Sequence, residues 1–174
     1  MIPGLVERNR RFAETFDAGH LPAPPAERLA VLTCMDARID PLRALGLALG
    51  GAHVIRNAGG RASGDALRSL IVSTHLLGTR AVAVIHHTDC GMQTFTDEAL
   101  QARLAAELGA DASDLRFLTF SDLEESVRED VLRIRSSPFL PRDLVVEGYV
   151  YDVRSGTLRE IEVPTGEPGI RPGR

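Results

Sequence analysis

The chain has 174 residues, 44% hydrophobic and 25% charged, with 20 Lys plus Arg against 24 Asp plus Glu. That is enough for one core-bearing domain without disulfide staples, while the net charge of -4 and the lack of a basic run or tryptophan argue against a nucleic-acid surface. No stretch approaches the ~20 apolar residues of a membrane span, and Glu7, Arg8, Arg10 and Arg11 leave no apolar signal-peptide core, so the sequence predicts a cytoplasmic protein with no membrane or nucleic-acid partner.

Leu5 to Ala18 reads as a helix with Leu5, Phe12 and Phe16 on one stripe and Gly19 as its stop. Leu21-Pro22-Ala23-Pro24-Pro25 cannot be helical and should run extended, so residues 1–25 form a helix on an arm that a neighbouring subunit could receive. Leu29 to Cys34 is the first strand, and Asp40-Pro41 opens a helix as N-cap and first position. A second strand, Ala52 to Ile55, runs into Arg56-Asn57-Ala58-Gly59-Gly60, where paired glycines let backbone amides approach a ligand. Ser63 to Leu77 follows as a helix closed by Gly78, and Ala81 to Ile85 as an uninterrupted apolar strand.

Further on, Asp97 to Leu108 is expected to be helical before Gly109, and Leu115 to Phe120 alternates as a strand. Ser121-Asp122-Leu123-Glu124 reads as a capping box opening a helix to about Arg135. Leu144 to Val153 and Leu158 to Val163, joined across Ser155-Gly156, read as a hairpin. This alternation implies an α/β fold, a mostly parallel central β-sheet flanked by helices with a C-terminal hairpin, in a single domain over 1–163. The Pro- and Gly-rich tail, 164–174, is expected to be disordered.

Two cysteines, Cys34 and Cys90, each end or follow an apolar strand, the position at which open α/β sheets place ligands. They are not a Cys-x-x-Cys pair, which argues against a thiol redox motif. Cys34-Met35-Asp36-Ala37-Arg38 places a soft ligand, a carboxylate and a guanidinium within one turn, and His86-His87-Thr88-Asp89-Cys90-Gly91 adds imidazoles. Zinc takes thiolate and imidazole, and catalytic sites commonly use three protein ligands plus an open position. Cys34, one histidine and Cys90 make such a set. The His-x-x-Cys spacing points to His87, with His86 the alternative; strand alternation sends His86 to the opposite face as a hydrogen-bonded structural residue.

Taken singly, these residues have plainer explanations: an inert core cysteine, an ordinary Asp36–Arg38 ion pair, a helix cap at Asp40, a connecting turn at Arg56 to Gly59. Thr88 and Asp89 can simply shape a turn, with Asp89 also placed to hydrogen-bond a ligand. His20, His53 and His75 belong to no partner motif. Only the joint pattern is specific.

Cys34-x-Asp36-x-Arg38, Arg56-Asn57-Ala58-Gly59 and His87-x-x-Cys90-Gly91, in that order, closely resemble the β-class carbonic anhydrases, and Gly148 to Val153 followed by Gly156 resembles that family's last strand and turn. The likeness spans Leu5 to Ile161 and is nearest to a short bacterial branch. It implies a zinc ion held by Cys34, His87 and Cys90, a homodimer or higher homo-oligomer in which the N-terminal helix embraces its partner, and reversible hydration of carbon dioxide to bicarbonate. Zinc can lower the pKa of bound water from ~15.7 toward ~7 and supply the attacking hydroxide. In this resemblance Asp36 accepts a hydrogen bond from that water, Arg38 holds Asp36, and the amides of Gly59 or Gly60 face the substrate. Ala37 stands where many members have serine, and Gly60 where asparagine is frequent. Two rival functions share the site: hydrolysis of carbonyl sulfide or carbon disulfide, which are linear like carbon dioxide, and a non-catalytic zinc-binding regulatory module.

Overall fold

A computed structural model describes residues 2–164. Five strands, β1 (Leu29–Cys34), β2 (Ala52–Asn57), β3 (Ala81–His87), β4 (Val145–Tyr151) and β5 (Leu158–Ile161), form one sheet in the order β2-β1-β3-β4-β5. The first four are parallel and β5 is antiparallel to β4. The strands richest in uninterrupted apolar residues, β1 and β3, are central, as burial on both sides requires.

Helices α3 (Gly64–Leu76) and α5 (Leu123–Arg135) pack on one face of this sheet. Ala66 and Leu70 from α3 and Val127, Val131 and Ile134 from α5 meet Ala30, Leu32, Val82, Val84, Val146 and Val150, the alternate residues of β1, β3 and β4. Gly148 makes the close packing of α5 possible, since a Cβ there would stand 2.5 Å from Val127 and 3.1 Å from Val131. The other face carries a groove of about 250 Å³ lined by Leu29, Ala83, Ile85, Val145, Tyr149 and Leu158 among others. Helix α1 (Leu5–Ala13) buries none of its residues, and α4 (Asp97–Leu108) buries none either.

Three elements depart from expectation. Helix α1 stops at Ala13 rather than Ala18, because Thr15 and Phe16 donate their amides three residues back and the Thr15 hydroxyl competes for the Phe12 carbonyl. The expected strand at Leu115 to Phe120 is not one: the amides of Phe117 and Thr119 go to the Asp97 carboxylate, and Leu118 has a left-handed φ of 61°. Asp122, not Ser121, caps α5 by accepting from the Glu125 amide, and the Glu125 carboxylate takes Arg128 rather than completing a capping box. The helix opened by Asp40 as N-cap and Pro41 as first position is present as α2 (Pro41–Ala44). The hairpin is present, its turn held by the Asp152 carboxylate accepting from the amides of Arg154 and Ser155. The disordered-tail expectation concerns residues beyond 164 and lies outside the described residues.

Candidate metal centre

Parallel register brings the ends of β1 and β3 side by side, with Thr33 opposite Ile85, and the Thr33 hydroxyl donates to the Ile85 carbonyl at 2.8 Å. Cys34, the last residue of β1, and His87, the last of β3, are therefore neighbours, and Cys90 returns to them after a short turn. Their ligand atoms all lie within 4.8 Å of one another, and all three residues are buried. Ligands at 2.0–2.3 Å around a tetrahedral zinc stand about 3.5–3.8 Å apart, so the set is nearly closed.

The donor chemistry suits a divalent cation. His87 Nδ1 donates to the Thr88 carbonyl at 2.9 Å, an acceptor only, which leaves Nε2 to face the thiols. That Nε2 is buried and has no hydrogen-bond partner among the described residues. The Cys90 thiol, outweighing burial, holds Cys34 as a thiolate with its pKa lowered to about 4, helped by His87 and by the amides of Asp36 and Gly59. The charge on Cys34 in turn raises Cys90, with burial acting the same way. Burial pulls His87 down, but the adjacent Cys34 thiolate outweighs it and raises the ring. Two buried thiols, Cys34 held toward the thiolate, and an imidazole nitrogen make a donor set that fits a divalent metal ion.

Asp36 sits beside this pocket, its Oδ2 3.8 Å from His87 Nε2. Arg38 grips it with Nε at 3.0 Å and Nη2 at 2.7 Å, and the Arg38 amide adds a bond at 2.9 Å. These donors hold the Asp36 carboxyl well below the usual carboxylate range, so at neutral pH it can only accept. Gly59 lends its amide to the Cys34 thiolate, and Gly60 lies against β1, where a Cβ would be 2.9 Å from the Cys34 nitrogen. Both glycines have positive φ, 80° and 71°.

His86 points away from the pocket, its Nδ1 2.7 Å from Ser126 Oγ and its Nε2 3.2 Å from Asp130. Two contributions were not legible in the motifs. Arg56 donates to the carbonyls of Cys34 and Asp36 at 3.0 and 2.7 Å, pinning the backbone of the turn, and Asp89 takes Arg38 Nη1 at 2.8 Å. Arg56 lies opposite Thr33 only because β2 pairs with β1 in that register, which no local pattern announces.

Fold and site together define an α/β protein with a thiolate–imidazole pocket fit for a metal at the ends of its central strands. The sequence profile described as "Carbonic anhydrase" matches residues 29–158. Beta-carbonic anhydrase 1 of Mycobacterium tuberculosis is 43% identical over 143 residues, covering 82% of this chain and 87% of that protein. The crystal structure of a carbonic anhydrase from Streptococcus mutans superposes with a TM-score of 0.87 at 46% identity, over 90% of this chain and 95% of that one. The carbon disulfide hydrolase of Saccharolobus solfataricus is 31% identical over 92% of this chain and 90% of its own length. The chain belongs to the carbonic anhydrase family, in its β class. It is an enzyme of that class, and zinc is the cofactor.

Proposed function

We propose that Cys34, His87 and Cys90 hold zinc and that Asp36 and Arg38 serve the reversible conversion of carbon dioxide and water to bicarbonate and a proton. The carrying observation is the ionised, Arg38-held Asp36 carboxylate 3.8 Å from His87 Nε2, beside three ligand atoms within 4.8 Å of one another. Zinc, when bound, supplies the Lewis acid that makes water nucleophilic near neutral pH. Asp36, an acceptor only, takes a hydrogen bond from the attacking water and so aims its lone pair at the carbon of CO2. Arg38 keeps Asp36 turned to that task by a charge-assisted fork. Gly60 packs against the backbone of Thr33 and Cys34 and Gly59 against Met92, Arg61 and Phe120, so a side chain at either would crowd the wall beside the metal ligands, where their backbone is placed near the substrate.

Residues 1–163 act as one zinc-binding unit and work as a homodimer or higher homo-oligomer. Leu5, Val6, Phe12 and Phe16 of the N-terminal segment are exposed, as are Val145 and Leu158 at the apolar groove on the open sheet face, and both are the surfaces a second copy would cover. No described helix is long and apolar enough to cross a membrane. We place the enzyme in the cytoplasm, where Cys34 and Cys90 stay reduced for the metal.

Stopped-flow CO2 hydration near pH 8, on protein of measured zinc content, tests the reading: fast, zinc-dependent hydration is expected, and Asp36→Asn should keep zinc while turnover falls about tenfold to a hundredfold. Negligible hydration at full zinc occupancy would sink it. The relatives named carbon disulfide hydrolase favour one second reading, hydrolysis of carbon disulfide or carbonyl sulfide on the same site. Turnover of both substrate types by a single preparation separates the two.

A further inference from the structure

Asp89 belongs neither to the metal-ligand set nor to the acceptor role given to Asp36, yet it supplies the second anchor of Arg38. All three guanidinium nitrogens are engaged. Nε and Nη2 hold Asp36 at 3.0 and 2.7 Å, Nη1 donates to the Asp89 carboxylate at 2.8 Å, and Nη2 donates also to the Asp89 carbonyl at 3.0 Å. Asp36 and Arg38 stand two residues apart on one turn, with Met35, Ala37 and Arg38 exposed. By themselves they could swing together. Asp89 ties that turn to the one following β3, directly before Cys90.

The side chains of Arg38 and Asp89 are 47% and 61% exposed, a setting in which an isolated ion pair contributes little. Here the planar fork is held from two sides, and orientation rather than pair energy is what the arrangement secures. Asp89 also adopts a left-handed φ of 56°, which aspartate tolerates better than most residues. We propose that Asp89 is a positioning residue that acts through Arg38, holding Asp36 in its working orientation. The proposal rests on the reading of Asp36 given above.

Two variants suit the left-handed backbone and so separate the carboxylate from the turn. Asp89→Gly removes the side chain, and Asp89→Asn keeps its shape without its charge. In each, three quantities are measured: zinc stoichiometry, hydrogen exchange of the Arg38 Nε–H by ¹⁵N NMR on both metal-free and zinc-loaded protein, and kcat and KM for CO2 hydration. Both variants should fold and bind one zinc. Arg38 exchange should quicken and kcat fall, each by about tenfold in Asp89→Gly and about threefold in Asp89→Asn, with KM within about twofold of wild type. Wild-type Arg38 exchange in Asp89→Gly overturns the proposal, and so does a loss of zinc, which would make Asp89 a support of the metal ligands. If the zinc-loaded wild type fails to hydrate CO2, the functional reading falls, and the Arg38 exchange rate still decides what Asp89 does.

Discussion

Two buried polar clusters flank the end of β3, and consecutive residues serve them. His86 belongs to a cluster that carries its own cation: Arg61 Nε lies 3.0 Å from Asp130, Arg61 Nη2 3.0 Å from Glu129, and Asp130 3.2 Å from His86 Nε2, with the guanidinium over the Phe120 ring at 5.4 Å. His87 belongs to the other, where two cysteine sulfurs and an imidazole nitrogen converge within 4.8 Å of one another. The difference separates a structural network from a functional site. Both clusters are desolvated, but the first sets a guanidinium of the chain against its carboxylates, whereas the second gathers the soft donors that a metal ion takes.

The largest effect is expected at the candidate metal ligands. Cys34→Ala or Cys90→Ala should abolish zinc retention, read by metal analysis after gel filtration, and reduce CO2 hydration by about a thousandfold or more, since nothing else in the pocket activates water. Full activity of a zinc-free Cys90→Ala protein would break the comparison outright. In the other cluster, Asp130→Asn leaves the buried Arg61 facing only half-exposed Glu129, and urea unfolding should show a loss of about 3 kcal/mol or more. Its folded fraction should still bind zinc, because the two clusters share no ligand.

A smaller effect concerns protons. With Cys34 lowered to about 4 and Cys90 raised, the metal-free protein should absorb at 240 nm as one thiolate between about pH 6 and pH 8, and as two when zinc is added. Two thiolates in the metal-free protein would mean that the pocket does not retain the Cys90 proton.

The smallest effect is on acid stability. The Arg38 guanidinium depresses the Asp36 carboxyl in the folded state, so its contribution is present above the unfolded value of ~3.9 and is lost as pH falls below it. Melting temperature of the metal-free protein should therefore drop below about pH 4, and less steeply in Asp36→Asn. Asp97 and Asp152, held down by neighbouring hydrogen bonds, should keep the remaining slope.

Much of the fold was readable because burial writes itself into short patterns. Uninterrupted apolar runs marked β1 and β3, and Ser63 and Gly78 marked the limits of α3. The strand expected at Leu115 to Phe120 shows where such patterns mislead: alternation was present, but the Asp97 carboxylate, about twenty residues away, took the amides that a ladder would have used. A side chain from another element outbid the local preference, and the left-handed Leu118 records it.

At the site the division follows the same rule. The sequence by itself brought out the candidate ligands Cys34, His87 and Cys90 by residue type, and confined His87 near Cys90 and Asp36 near Arg38, because a turn of a few residues keeps such groups together, while Cys34 meets His87 only through the pairing of β1 with β3. Tertiary structure alone decided that Arg56 braces the turn after β1 and that Asp89 completes the grip on Arg38, since both contacts join separate strand ends and exist only through the parallel register of β2, β1 and β3.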